Sequence, residues 1–155
     1  MAVKALKRQH VPPLTNAAEE ARVETILAFA GPLEGRRALI AAAHGLELFC
    51  TLIRHGCLEA TWLKSCNKAD RPDYDLMLVP DLGCLPSADD AIRIARHALA
   101  PSGRVVIGVA ETAGDRKSLA LTRRLRLNGF RAIRAAALPG FTVVRAEAPQ
   151  IGRLS

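Results

Sequence analysis

Residues 74–110 read "YDLMLVPDLGCLPSADDAIRIARHALAPSGRVVIGVA", and the fold is decided there. "YDLMLV" (74–79) is the clearest strand pattern in the chain and stops at Pro80-Asp81. Ser87 then begins a capped helix, with Asp89 and Asp90 in its first turn, where free amides and the helix dipole favour acids. Ile92, Ile94, Ala95 and Leu99 form its apolar set, and His97 lies near its C-terminal end. "PSG" (101–103) is a tight turn, and "RVVIGVA" (104–110) is a buried strand. Strand, helix and strand in this order predict a parallel pair joined by a crossover helix.

Upstream, "ALIAAAHGLELFCTLIRHG" (38–56) carries the same signs: an apolar strand without alternation, a tight turn, and a helix from Leu46 to His55 closing at Gly56. Leu48, Leu52, Phe49 and Ile53 supply its buried stripe. "CLEATWLK" (57–64) is a further strand, and "NKADRP" is polar and breaks at Pro72. An earlier helix, capped by Thr15 or Asn16, turns Val23, Ile26, Leu27 and Phe29 inward and stops at Gly31-Pro32. Downstream, a basic helix over residues 116–127 ends at Asn128-Gly129. "FRAIRAAAL" and "FTVVRAE" then form a hairpin about Pro139-Gly140. The expected fold class is α/β: a Rossmann-like, mainly parallel sheet with helices on both faces and an antiparallel C-terminal hairpin. Residues 1–14 are expected to be a flexible basic tail, residues 15–149 a single domain, and residues 150–155 a short C-terminal tail.

With 155 residues, half of them apolar, and a mean hydropathy of +0.12, the chain is long enough to bury a core as one domain. Its apolar runs are too short to span a bilayer, and the N-terminus lacks the apolar segment of a secretory signal. No membrane association and a cytoplasmic home are expected. Cys50, Cys57, Cys66 and Cys84 form no C-x-x-C pair, so they are read as reduced, mostly buried thiols rather than metal ligands. Lys and Arg outnumber Asp and Glu by 22 to 15, for a formal charge of +7. Such a surplus draws polyanions weakly and without specificity. Much of it lies in Arg116, Lys117, Arg123, Arg124, Arg126, Arg131 and Arg134, with only Asp115 nearby. One Trp and one Tyr in the whole chain leave no aromatic platform for bases, so this group reads as a solvated face.

From Tyr74 onward the chain resembles a class I S-adenosylmethionine-dependent methyltransferase domain. Residues 73–110 are similar to that family's fourth strand, loop, helix, L-x-P-G-G-like turn ("LAPSG") and fifth strand. "LTRRLRLNGFRAIRAAALPGFTVVRAE" (121–147) resembles its terminal helix, "GF" turn and reversed last hairpin. "ALIAAAHGLELFCTLIRHG" takes the place of its first strand, glycine loop and helix, and the resemblance covers residues 35–147. In that family the first strand ends in an acid before a glycine-rich loop. Here Ile40 stands near the acid's place, and Ala42, His44 and Leu46 hold the glycine places, leaving only Gly45. The acid expected to meet the ribose is replaced by Lys64 and Ser65, and a lysine accepts no hydrogen bond. Residues 64–72 are also too few for a crossover helix and a third strand, so the domain is expected to be trimmed.

These departures lead to one expectation and two alternatives. The expectation is a degenerate methyltransferase-like domain without bound cofactor, acting as a binding or scaffolding module, as a homodimer or with a protein partner. The first alternative is an active S-adenosylmethionine-dependent methyltransferase whose atypical pocket uses His44, Gly45, Leu46 and Asp81. His44 has the chemistry to bind an anion or act as a base, while Asp81 after Pro80 is also an ordinary turn residue. The second alternative is a nucleic-acid or other polyanion binder using the basic helix.

Overall fold

A computed structural model describes residues 13–63, 73–112 and 114–149, with side chains from residue 17 onward. Lys64, Ser65, Cys66, residues 1–12 and the expected tail at 150–155 lie outside the described residues. The strands are β1 (Arg37–Ala41), β2 (Glu59–Leu63), β3 (Tyr74–Val79), β4 (Leu99–Ala110), β5 (Arg131–Leu138) and β6 (Phe141–Glu147). They form one six-stranded sheet in the order β2-β1-β3-β4-β6-β5. The first four are mutually parallel, and β6 and β5 follow as an antiparallel hairpin. The helices are α1 (Pro13–Ala30), α2 (Leu46–Arg54), α3 (Ala88–Ala98) and α4 (Lys117–Leu127).

The apolar runs of β1, β3 and β4 explain the layering, because a strand apolar at successive positions needs cover on both faces. Ala38, Ile40, Leu76, Leu78 and Val106 pack with Ile26 and Ala30 of α1 and Leu48 and Leu52 of α2. The alternate positions Leu39, Ala41, Met77, Val79, Val105 and Ile107 pack with Ile92 and Ala95 of α3 and Leu121 and Leu125 of α4. The result is a Rossmann-like α/β domain with helices on both faces, as expected. β2 ends the sheet on one side, and among the described residues no strand lies beyond it.

Local chemistry sets the helix ends. Ser87 Oγ accepts from the Asp90 amide at 3.2 Å and caps α3. Gly31 (φ +79°) closes α1, whose last carbonyl, on Ala30, accepts from Arg104 Nη1 at 2.9 Å. The guanidinium of Arg22 stacks 4.5 Å above the Phe141 ring and ties the same helix to β6.

Several expectations need correcting. α1 begins at Pro13, so residues 13 and 14 are helix rather than tail. β4 begins at Leu99 rather than Arg104, because Leu99 already pairs with Tyr74. The next residue pair is Leu76 with Arg104, so the intervening residues bulge out of register, with Ser102 in the left-handed region (φ +65°). Val23 is 38% exposed because it lines an open groove with Glu19, Glu20, Glu24 and Glu47. Ile53 is 47% exposed on the outward side of α2. Of the three cysteines described, only Cys57 is buried, and burial pushes its thiol up despite nearby Arg36. Cys50 is exposed on α2 and Cys84 in the turn after β3.

Gly108 marks the tightest point of the sheet. A Cβ there would overlap the Phe141 ring and the Pro80 carbonyl oxygen. β4 is held by β3 on one side and β6 on the other, so its backbone cannot step aside. A thermal melt of Gly108→Ala should show a loss of about 2 kcal/mol, a drop of several degrees in Tm. An unchanged Tm would mean that both the Phe141 ring and the Pro80 carbonyl give way freely.

Candidate functional site

Parallel pairing brings the carboxyl ends of β1, β2, β3 and β4 to one edge of the sheet. Ala41 lies opposite Leu63, Ile40 opposite Leu78, and Val79 opposite Ile107. In open α/β sheets ligands bind outside that edge. Three segments meet there: the β1–α2 turn (Ala42–Gly45), the segment after β3 (Pro80–Leu85), and Glu111 just past β4.

The β1–α2 turn and the first residue of α2 hold three of the four residues singled out from the sequence. His44 is exposed, Gly45 is buried and caps α2, and Leu46, its first residue, is 62% exposed. The only non-glycine residues with positive φ among those described are Ser102 and Ala132, so Ala42, Ala43 and His44 adopt ordinary backbone angles. This turn therefore needs no glycine for its conformation. The cap residue of α2, Gly45, has no side chain to offer, so among the described residues the first amides of α2, which carry the positive end of the helix dipole, have no side-chain cap.

Asp81 stands apart from that turn. Its Oδ1 accepts from the Gly83 amide at 2.9 Å and caps the short 3-10 turn Leu82–Cys84. It lines an open hollow of about 550 Å³ with residues 82–88, Val109, Ala110 and Lys117, within the size range of small-molecule sites. The β1–α2 turn does not line this hollow, so the expected four-residue pocket divides into a turn and a neighbouring hollow.

Two residues that the sequence reading passed over matter here. Trp62, near the end of β2, donates its indole Nε1–H to the Ala42 carbonyl at 2.8 Å and lies against Gly45. Glu111 accepts from the Ser118 amide at 3.0 Å and from the Thr142 hydroxyl at 2.6 Å, which anchors the start of α4 to β6. A signal for each is present in the sequence: the single tryptophan at a strand end, and an acid just after β4. The basic helix is also less isolated than expected, since Arg124 of α4 pairs with Asp89 of α3 at 2.6 Å.

No protein-family model matches the sequence, and no curated protein sequence matches it. Solved structures do match. A methyltransferase from Burkholderia thailandensis, bound to 1,6-didemethyltoxoflavin and S-adenosylhomocysteine, aligns at TM-score 0.68 with 16% identity, over 86% of this chain and 79% of its own. An S-adenosylmethionine-dependent methyltransferase from Mesorhizobium loti aligns at TM-score 0.63 with 13% identity, over 80% of this chain and 96% of its own. A 16S rRNA methyltransferase from T. thermophilus, bound to AdoMet and guanosine, aligns at TM-score 0.61 with 17% identity, over 89% of this chain and 43% of its own.

This chain has the class I S-adenosylmethionine-dependent methyltransferase fold.

That finding corrects the expectation of no cofactor, because two of these methyltransferase folds hold S-adenosylhomocysteine or AdoMet. The expectation treated the missing glycines as decisive. In this methyltransferase fold the turn reaches its shape without them, with Ala43 and His44 exposed. The uncapped start of α2 fits the anionic carboxylate that such a cofactor carries. Among the described residues, Trp62 crowds the turn.

Glu111 gives a pH test of this edge. Burial pushes its carboxyl up, but hydrogen bonds from Ser118 and Thr142 outweigh that and hold it below the ordinary glutamate range. A carboxyl held low adds stability above its unfolded pKa, and that stability is lost as pH falls through the folded value. Glu111→Gln should therefore cost about 1 kcal/mol at pH 7 and progressively less in acid, below about pH 4. Equal losses at pH 7 and pH 3 in denaturant melts would contradict this.

Proposed function

We propose that this chain is an S-adenosylmethionine-binding domain that holds the cofactor over the β1–α2 turn and acts as a binding module rather than an efficient catalyst. The observation that carries the proposal is the uncapped amino end of α2, standing at the carboxyl edge of β1 in a methyltransferase fold. On this reading the first amides of α2 receive the cofactor's carboxylate, and His44 lies beside it on the turn. Bound S-adenosylmethionine supplies an electrophilic methyl group on a sulfonium.

Methyl transfer from a sulfonium needs no dedicated base, but it does need alignment and exclusion of water. The turn supports neither strongly, with Ala43, His44 and Leu46 exposed. Asp81 is already engaged in its own turn. These features favour binding without rapid turnover. The second reading, an active methyltransferase, is favoured by the adjoining hollow at the ends of β3 and β4, which offers an acceptor room and one cation, Lys117. Homodimerisation or a protein partner remains part of the proposal, since a binding module acts through what it contacts.

Calorimetric titration with S-adenosylmethionine and S-adenosylhomocysteine tests the binding claim. Micromolar affinity for both is expected, with His44→Ala weakening it a fewfold. No heat at millimolar ligand, with the protein folded, would reject the assignment. Release of S-adenosylhomocysteine during incubation with small nucleophiles or cell extract would move the balance to the catalytic reading.

A further inference from the structure

We infer that Trp62 controls access to the β1–α2 turn: its indole is seated where the cofactor must approach and has to leave before the ligand binds. The inference rests on the binding site proposed above. Gly45 supplies the first argument. Its φ of −116° is open to any residue, so glycine is not needed there for conformation. It is needed for space. A Cβ on Gly45 would lie 2.8 Å from Trp62 Nε1, 3.0 Å from Cδ1 and 3.1 Å from Cε2. Three ring atoms at nearly equal distance place that Cβ over the five-membered ring, so Gly45 makes room for the indole's face. The single glycine left in this turn accommodates the chain's own aromatic ring.

The second argument is the carbonyl that the indole occupies. The Ala42 amide donates to the Leu63 carbonyl at 3.0 Å, the last backbone bond between β1 and β2 among the described residues. The Ala42 carbonyl is the next acceptor along that edge, and Trp62 Nε1–H takes it at 2.8 Å. A nucleoside reaching the turn must therefore compete with a hydrogen bond and a packed aromatic face belonging to the same chain. When the receptive form is a minor state, apparent affinity falls by the fraction of molecules in it. Residues that only brace the turn would act in the opposite sense, since weakening them would loosen the ligand as well.

That difference in sign makes the test. Trp62→Phe keeps an aromatic ring and removes the N–H donor. Calorimetry on the full chain should show it binding S-adenosylmethionine about fivefold more tightly than wild type, while its Tm is lower. In the wild type Trp62 is the sole tryptophan, so its emission reports on this residue alone. Emission should move to longer wavelength as calorimetric saturation is approached. Equal or weaker binding by Trp62→Phe would overturn the inference, as would unchanged emission at saturation. Binding by Trp62→Phe with none by wild type would support it. If neither binds, the site assignment itself fails, and access control fails with it.

Discussion

β1, β3 and β4 are apolar on both faces and cannot be left wet on either, and that constraint shapes the whole molecule. Helices must lie above and below, so α1 and α2 cover one face while α3 and α4 cover the other. Parallel pairing then brings the carboxyl ends of β1, β2, β3 and β4 to the same edge. Loops collect at that edge because the strands end there, and helix starts follow the loops. The edge at which open α/β sheets hold ligands thus arises from burial alone, before any residue is chosen for chemistry. What the chain does with the site depends on a few side chains at its rim.

Those rim residues are unusual in how they are employed. Groups at such an edge are commonly free to meet a ligand, yet several here are already engaged within the chain. Asp81 Oδ1 caps its own turn, Glu111 anchors α4 to β6, and the Ala42 carbonyl is held by Trp62. Among the described residues, the groups of this rim left open are the first amides of α2 and the side chains of His44 and Lys117. Backbone amides at a helix start recognise negative charge well and shape poorly.

Sequence and structure agree where a residue's role is set by its neighbours in the chain. Ser87 caps its helix as its spacing with Asp90 suggests, β3 runs over 74–79 as read, and Gly31, Gly56, Gly129 and Gly140 take the positive φ that turns and helix ends require. Agreement is weaker where distant segments decide. Leu99 joins β4 because Tyr74 lies beside it, and no local signal in "LAPSG" reports that pairing. Val23 has the spacing of a core residue, but it lies on a side of α1 turned away from the sheet and faces a groove of glutamates. Trp62 was similarly hidden. Its partners, Ala42 and Gly45, are 20 and 17 residues earlier in the chain, and only parallel pairing of β1 with β2 brings them together.

The turn after β1 also shows why counting glycines misleads. Glycine serves two distinct needs: backbone angles closed to other residues, and space that a Cβ would fill. Here the first need is absent, since Ala42, Ala43 and His44 all lie at ordinary φ. The second remains at Gly45 alone, and the object that requires the space is an indole from the neighbouring strand. A missing glycine motif is therefore compatible with an intact turn, and a surviving glycine is no proof of a ligand. The informative quantity at each position is what its Cβ would strike. At Gly108 it would strike a ring and a backbone carbonyl within the sheet, and at Gly45 an indole at the sheet's edge.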